Sequence, residues 1–176
     1  MSLYFVTGIA GSGKSQVTIE LKARGIEAYD TDDDGLARWR DIKNGYIHPK
    51  SSIKQKDRTE EFLSGHEWIV PRSEVEKLAE KAKSKDIYLC GVAYNESQLW
   101  DLFKEVFALV IDDDTLKYRL KNRTTNDWGK QPHELQITLG IQQKANLTYK
   151  NDDYIVIDAT QPINKVVNSI LEQSAV

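Results

Sequence analysis

Short apolar runs alternate with polar stretches of helical spacing along the whole chain, a pattern that predicts an α/β protein. Leu3-Tyr4-Phe5-Val6-Thr7 reads as a strand, and Lys14 to Arg24 as a helix that carries Val17, Ile19 and Leu21 and stops at Gly25. Ile26-Glu27-Ala28-Tyr29 follows as a short strand. Leu36 to about Lys43 predicts a helix that Asn44-Gly45 would terminate. From Tyr46 to Val70 the local signals are weak, mixing aromatic, basic and turn-forming residues, and the position between two strands suits an inserted lobe. Pro71 to Ala82 predicts a helix with proline in its first turn and Val75, Leu78, Ala79 and Ala82 on one face.

Ile87-Tyr88-Leu89-Cys90 reads as the next strand, Glu96 to Phe103 as a short helix, and Val106 to Ile111 as a continuous apolar strand of the buried parallel kind. Thr115 to Arg123 predicts a helix, Thr124 to Lys130 a polar loop, and Pro132 to about Tyr149 a further helix. Tyr154 to Asp158 is the fifth strand. Pro162 opens a last helix in which Ile163, Val166, Val167, Ile170 and Leu171 keep helical spacing. Alternation of this kind implies a parallel sheet covered by helices on both faces, with ligands at the carboxyl ends of the strands.

Bulk composition narrows the classes. With 176 residues, 40% of them hydrophobic, the chain suits one domain spanning 1–176 with room for a small insert. A net charge of −3 and no block of basic residues argue against nucleic acid as the main partner. The single cysteine, Cys90, rules out an intramolecular disulfide and a Cys-rich zinc site, and reads as a small buried strand-end residue. No apolar stretch approaches the about 20 residues of a membrane span, so the expectation is a soluble, cytoplasmic protein with no membrane partner. Monomer and homodimer both remain open.

The chemistry concentrates after the first strand. Gly8-Ile9-Ala10-Gly11-Ser12-Gly13-Lys14-Ser15 fills every position of the G-x-x-x-x-G-K-[ST] phosphate-binding loop. Gly8, Gly11, Ser12 and Gly13 would let backbone N–H groups turn inward on a phosphate, and the following helix adds its positive dipole end. Lys14 would reach the β/γ-phosphates, and Ser15 would place its hydroxyl on Mg²⁺. Beyond the second strand, Asp30-Thr31-Asp32-Asp33-Asp34-Gly35 is an acidic cluster. On an extended strand Asp30 and Asp32 would point the same way, so both could face the phosphate loop, one holding Mg²⁺ through water and the other accepting a hydroxyl proton. Helix capping is the competing role, assigned to Asp33, Asp34 and the later Asp112-Asp113-Asp114.

The phosphate loop, the acidic cluster, a variable lobe, an arginine-bearing segment after the fourth strand and Asp158-Ala159-Thr160-Gln161-Pro162 after the fifth together resemble the small P-loop kinases, the nucleoside monophosphate kinase superfamily. The resemblance spans nearly the whole chain, and its motifs are nearest to shikimate kinase-like and gluconate kinase-like enzymes. It implies a P-loop three-layer sandwich with a five-stranded parallel sheet, a substrate lobe over about 33–70 and a lid over about 123–132. It also implies ATP and Mg²⁺ as cofactors.

Residue by residue, the resemblance gives Asp30 to the metal with Ser15, and Asp32 to the acceptor hydroxyl as its base. Arg123-Thr124-x-x-Asp127-x-x-Lys130-x-Pro132 is similar to the family's lid pattern with one residue added. Arg123 would stack on adenine, Arg119 lies one turn before it, and Lys130 falls where the family has an arginine that acts on the transferring phosphoryl group. Ala159, Thr160 and Pro162 would wall the adenine site. Arg58 stands where the family has a substrate-clamping arginine, and Gly91 is what remains of a glycine triplet. A solvated basic helix end is the alternative role for Arg119 and Arg123. An ordinary surface position is the alternative for Arg58.

These readings predict a kinase that moves the γ-phosphoryl group of ATP to a hydroxyl of a nucleoside-like or small-metabolite acceptor, with Lys14, Asp32 and Lys130 catalytic. Three alternatives stay open: a nucleoside monophosphate acceptor, a nucleotide-binding regulatory module without turnover, and a polynucleotide 5′-hydroxyl acceptor. The third strand ends in Leu89-Cys90-Gly91-Val92, without the metal-holding aspartate that many P-loop enzymes have there.

Overall fold

The computed structural model describes residues 1–54, 57–124 and 132–175. Its centre is a five-stranded sheet in the order β2-β5-β1-β6-β7, formed by β1 (Leu3–Thr7), β2 (Glu27–Asp30), β5 (Ile87–Cys90), β6 (Glu105–Val110) and β7 (Ile155–Asp158). Every pairing is parallel, with β1 between β5 and β6. From β1 the chain runs to the β2 edge, returns to β5, and then crosses to β6 and β7. The reversal about β1 opens a crevice at the carboxyl end of that strand, where the phosphate loop begins.

Strand alternation divides the core between the two faces of the sheet. Tyr4 and Val6 of β1 pack with Val17 and Leu21 of α1 (Lys14–Ala23), Leu116 and Leu120 of α4 (Asp113–Asn122), and Val166, Val167 and Ile170 of α6 (Ile163–Ser174). Leu3 and Phe5 pack on the other face with Val75 and Leu78 of α3 (Arg72–Lys81) and Leu99 of a 3₁₀ helix, Glu96–Leu102. Burying side chains such as Phe5, Leu21 and Phe107 stabilises the fold by about 1.5–3 kcal/mol each. A long helix, α5 (Pro132–Asn151), reaches back toward β7.

The insert between β2 and α3 departs from the helix predicted over 36–43. It contains a two-stranded antiparallel ribbon, β3 (Arg38–Asp41) with β4 (His66–Ile69), and a short helix, α2 (Glu60–Gly65). Apolar residues at 36, 37, 39 and 42 mimic helical spacing, but the cross-strand pairing of Trp39 with Trp68, ring centroids 4.9 Å apart, prevails over it. Asn44-Gly45 then turns a hairpin rather than ending a helix: Gly45 has φ 74°, its N–H donates to the Asp41 carbonyl at 2.9 Å, and Asp41 N–H donates to the Tyr46 carbonyl at 2.9 Å. Phe62 meets Trp39 edge-on at 5.3 Å, so the insert has a small aromatic core of its own.

Candidate active site

At the end of β1 the chain must turn sharply into α1. Gly8 takes φ 151°, and a Cβ there would lie 2.6 Å from Ser12 Oγ and 2.9 Å from the Leu109 carbonyl. Gly13, at φ 109°, is the residue just before α1, so the helix opens directly from the loop. Lys14 folds back over the turn and donates from Nζ to the carbonyls of Gly8 at 2.7 Å and Ile9 at 2.9 Å. Burial pushes its ammonium down to about 8, against the opposing pull of Asp32 and Asp30. The buried Ser12 hydroxyl has no hydrogen-bond partner among the described residues. A cation on carbonyls and an orphaned hydroxyl, at a helix N-terminus, fit a phosphate group as their ligand.

The loop is held from outside. Arg119, one face of α4, donates to the Ser12 carbonyl at 2.9 Å and to the Ala159 carbonyl at 2.7 Å, bridging the phosphate loop to the turn after β7. Partial burial lowers its pKa, and Asp112 opposes that shift. The fork of the guanidinium suits two carbonyls on separate segments, a role that the helix-end reading of Arg119 did not contain.

Asp30 ends β2 buried, with its Oδ2 accepting from the Ser15 hydroxyl at 2.8 Å. Its other oxygen accepts from the Asp32 N–H at 2.9 Å. Asp32 is therefore not on the strand with Asp30, as extended alternation predicted, but in the following turn, because the Asp30 carboxylate caps that turn. Asp34 is also not a helix cap: its carboxylate accepts from the Asp30 N–H at 2.8 Å and meets Lys22 at 3.2 Å, and no helix follows it. Asp33, in the same turn, has its pKa raised chiefly by Asp30. Asp112 caps α4 as expected, accepting from the Thr115 N–H at 2.6 Å.

Around the loop opens a cleft of about 640 Å³, lined by Ala10 to Val17 together with Asp30, Asp32 and Gly91, and by Arg119, Arg123, Ala159 and Gln161. Thr160 and Pro162 are not among its lining residues; the Thr160 hydroxyl is committed to Asp158 at 2.6 Å. Tyr118, which nothing in the sequence singled out, lines the cleft and is 70% exposed, leaving its ring open to a ligand. Gly91 is glycine for a packing reason, since a Cβ would lie 2.0 Å from Thr31 Oγ1. Cys90 is buried and its thiol is pushed up to about 12 by desolvation, so it is an inert strand-end residue. Lys130 and most of the expected lid lie outside the described residues.

A second pocket, of about 450 Å³, opens between the acidic turn and the insert. Asp32 lines both cavities, and one of its oxygens accepts from Trp68 Nε1 at 3.0 Å. Arg58 lines the second pocket, with its guanidinium carbon 5.7 Å from the Trp39 ring centroid. Sequence reasoning also missed Glu96. This carboxylate accepts from Thr7, the residue before the phosphate loop, at 2.9 Å and from the Tyr154 hydroxyl at 2.7 Å. Burial raises its pKa. A lone glutamate opening a short helix carries no local signal of such a partnership.

No family model matches the chain, and no curated protein matches it at a significant level. Solved structures do. A shikimate kinase from Bacteroides thetaiotaomicron superposes with a TM-score of 0.64 at 18% identity, covering 99% of each chain. A gluconokinase from Sinorhizobium meliloti 1021 has a TM-score of 0.56 at 18% identity, covering 97% of this chain and 90% of its own. A deoxyadenosine kinase from M. mycoides with bound dATP has a TM-score of 0.55 at 14% identity, covering 100% of both. The chain has the α/β fold of these P-loop kinases, as its resemblance to shikimate kinase-like and gluconate kinase-like enzymes implies.

Proposed function

We propose that the protein is a kinase that transfers the γ-phosphoryl group of ATP to a hydroxyl of a small molecule bound in the pocket beside the insert. The observation that carries this reading is the position of Asp32, a lining residue of both the phosphate-loop cleft and the second pocket. A simple nucleotide hydrolase needs no second, residue-lined pocket against its catalytic carboxylate.

The roles follow from the chemistry of each side chain. Lys14 gives up its loop carbonyls to bind the β- and γ-phosphates, and Ser12 donates to the same anion. Arg119 keeps the loop shaped for them. Tyr118 and Arg123 offer an aromatic face and a guanidinium to the base of the nucleotide. Asp32 accepts the proton of the acceptor hydroxyl as its oxygen forms the new P–O bond. The bond from γ-phosphorus to the bridging oxygen breaks, and ADP leaves with that electron pair.

Ser15 and Asp30, hard oxygen donors already in contact at 2.8 Å, are the residues that would hold Mg²⁺. Mg²⁺ neutralises phosphoryl charge in such reactions and takes most of its ligands from water and phosphates. That habit suits a protein in which no cluster of three or more His, Cys, Asp or Glu among the described residues would hold a metal unaided. Among the described residues no helix is long and apolar enough to cross a membrane.

The test is transfer from γ-labelled ATP with Mg²⁺ to a panel of nucleosides, nucleoside monophosphates, hydroxy acids, sugars and 5′-hydroxyl oligonucleotides, with Lys14→Ala as control. A labelled small-molecule product that requires Lys14 is the expected result. Tight ATP binding with no product on the whole panel would overturn the proposal in favour of a nucleotide-binding module.

A further inference from the structure

The segment from Gly91 to Glu96, between β5 and the 3₁₀ helix, is tied at both ends to β1 and in its middle to the insert. Gly91 N–H donates to the Val6 carbonyl at 3.0 Å, and the Glu96 carboxylate accepts from the hydroxyl of Thr7, the next residue of β1, at 2.9 Å. Between these two points the chain reaches across to the end of β4. Tyr94 N–H donates to the Trp68 carbonyl at 2.8 Å. The buried Asn95 side chain bonds both backbone groups of Val70, accepting from its N–H at 3.1 Å and donating to its carbonyl at 3.0 Å. A side chain thus takes the place of a neighbouring strand where the insert leaves for α3.

Trp68 carries this frame onward, since its indole N–H donates to Asp32 Oδ1 at 3.0 Å. The Thr31 hydroxyl reaches the same oxygen at 3.2 Å, but Thr31 belongs to the acidic turn itself. Among the described residues, the hydrogen bond that reaches this carboxylate from another element is that of Trp68. At the opposite end, Thr7 directly precedes Gly8, where the phosphate loop begins. Tyr154 donates to the second oxygen of Glu96 at 2.7 Å, so both oxygens are engaged and the carboxylate is held in one orientation. Burying a carboxylate opposes folding more than a neutral side chain would. Hydrogen bonds to a charged acceptor are roughly twice as strong as neutral ones, and here they stiffen the root of the loop.

Resting on the kinase reading for the role of Asp32, we infer that Asn95 and Glu96 are positioning residues that fix the distance between Asp32 and the phosphate loop. Neither lines either cavity. They act through Trp68 on one side and Thr7 on the other. Phosphoryl transfer depends on alignment of the reacting groups, and a displacement of about 1 Å slows such a step about 10²-fold. Each ligand would keep its own contacts, so slackening this strut lowers turnover before it lowers affinity.

The experiment combines kinetics with the indole N–H resonance of Trp68 in the full chain, assigned by its absence from Trp68→Phe. Glu96→Ala and Thr7→Val should lower kcat about tenfold or more, keep the ATP dissociation constant within about twofold, and shift the Trp68 resonance. Glu96→Gln should recover both readouts, since its amide can accept from Thr7 and donate to Tyr154. Ile170→Val, a core change on the face of the sheet away from Thr7, should alter neither. Asn95→Ala is the poorer probe, because it leaves two buried backbone groups of Val70 unpaired. In Glu96→Ala, an unmoved resonance, an unchanged kcat or a loss confined to ATP affinity would overturn the inference. An equal loss in Ile170→Val, or no recovery in Glu96→Gln, would overturn it too. If the parent transfers phosphate to no acceptor, the kinase reading falls and the resonance decides alone: a shift in Glu96→Ala keeps the frame from Thr7 to Asp32, and none removes it.

Discussion

The two cavities that meet at Asp32 are built by opposite means. On the phosphate-loop side the polar groups are tied to other parts of the chain: Lys14 to the carbonyls of Gly8 and Ile9, Arg119 to those of Ser12 and Ala159, and Ser15 to the Asp30 carboxylate. On the side of the insert, Lys50 and Arg58 are exposed and have no acidic partner among the described residues. The frame of the first site is held before any ligand arrives, so binding there would lose little ordering entropy, with Lys14 exchanging its two carbonyls for the ligand. The second is tied down less, with Lys50 and Arg58 left toward solvent. A fold that serves many acceptors can change the second region without disturbing the first.

Substitutions can break this contrast, beginning with the largest effect. Lys14→Ala should lower phosphoryl transfer about 10³-fold, as the loss of a preorganised charge at the transferring group does. Affinity for an acceptor found with the transfer panel, read by calorimetry, should not change. If both fall together, the two sites are not separate.

Asp32→Asn tests the boundary. Steady-state kinetics should show kcat reduced about 10²-fold with ATP affinity within about twofold of the parent, because a base contributes to transfer rather than to nucleotide binding. Unchanged kcat would return Asp32 to the role of a turn residue that orients Trp68.

A pH series sharpens the nucleotide side alone. Lys14 in the free protein sits at about 8, below its ordinary 10.5, and phosphate contact favours the charged form. Above pH 8 the free lysine is mostly neutral, so binding must take up a proton. ATP affinity should then fall about tenfold per pH unit until the pKa of the bound state is reached. Calorimetry in buffers of different ionisation heat would register the uptake. Flat affinity from pH 7 to 9.5 would mean that the ammonium is not desolvated by the loop.

Arg119→Ala gives the smallest effect. It removes two carbonyl contacts from the phosphate-loop frame and should raise the ATP dissociation constant about tenfold, with about 1–3 kcal/mol of stability lost in urea melts. Arg119→Lys should recover only part, since one ammonium does not span carbonyls on two segments. Full recovery would reduce Arg119 to a point charge.

What could be read from residues alone was local. The phosphate loop needs eight consecutive residues, and the glycine geometry at Gly8 and Gly13 follows from their lack of Cβ. Strands such as Val106 to Ile111 and helices such as that after Pro71 announced themselves by runs and periods, and the structure places them within a residue or two. Apolar spacing sufficed because neighbours a few positions apart decide such elements.

The rest depended on contacts between distant residues. Trp39 lies on a strand because Trp68 lies opposite, and the local pattern over 36–43 cannot report a partner that arrives after a turn and a helix. Asp32 left the strand because the Asp30 carboxylate captured its N–H. Glu96 meets Thr7 and Tyr154, 89 and 58 residues away, only once β1, the 3₁₀ helix and the start of β7 converge. The phosphate-loop motif was therefore legible in one stretch of chain, whereas the pocket proposed for the acceptor exists only where the insert folds back on the sheet. Backbone sterics act between adjacent residues, but the gathering of Arg38, Lys50 and Arg58 requires the tertiary fold to hold their charges together.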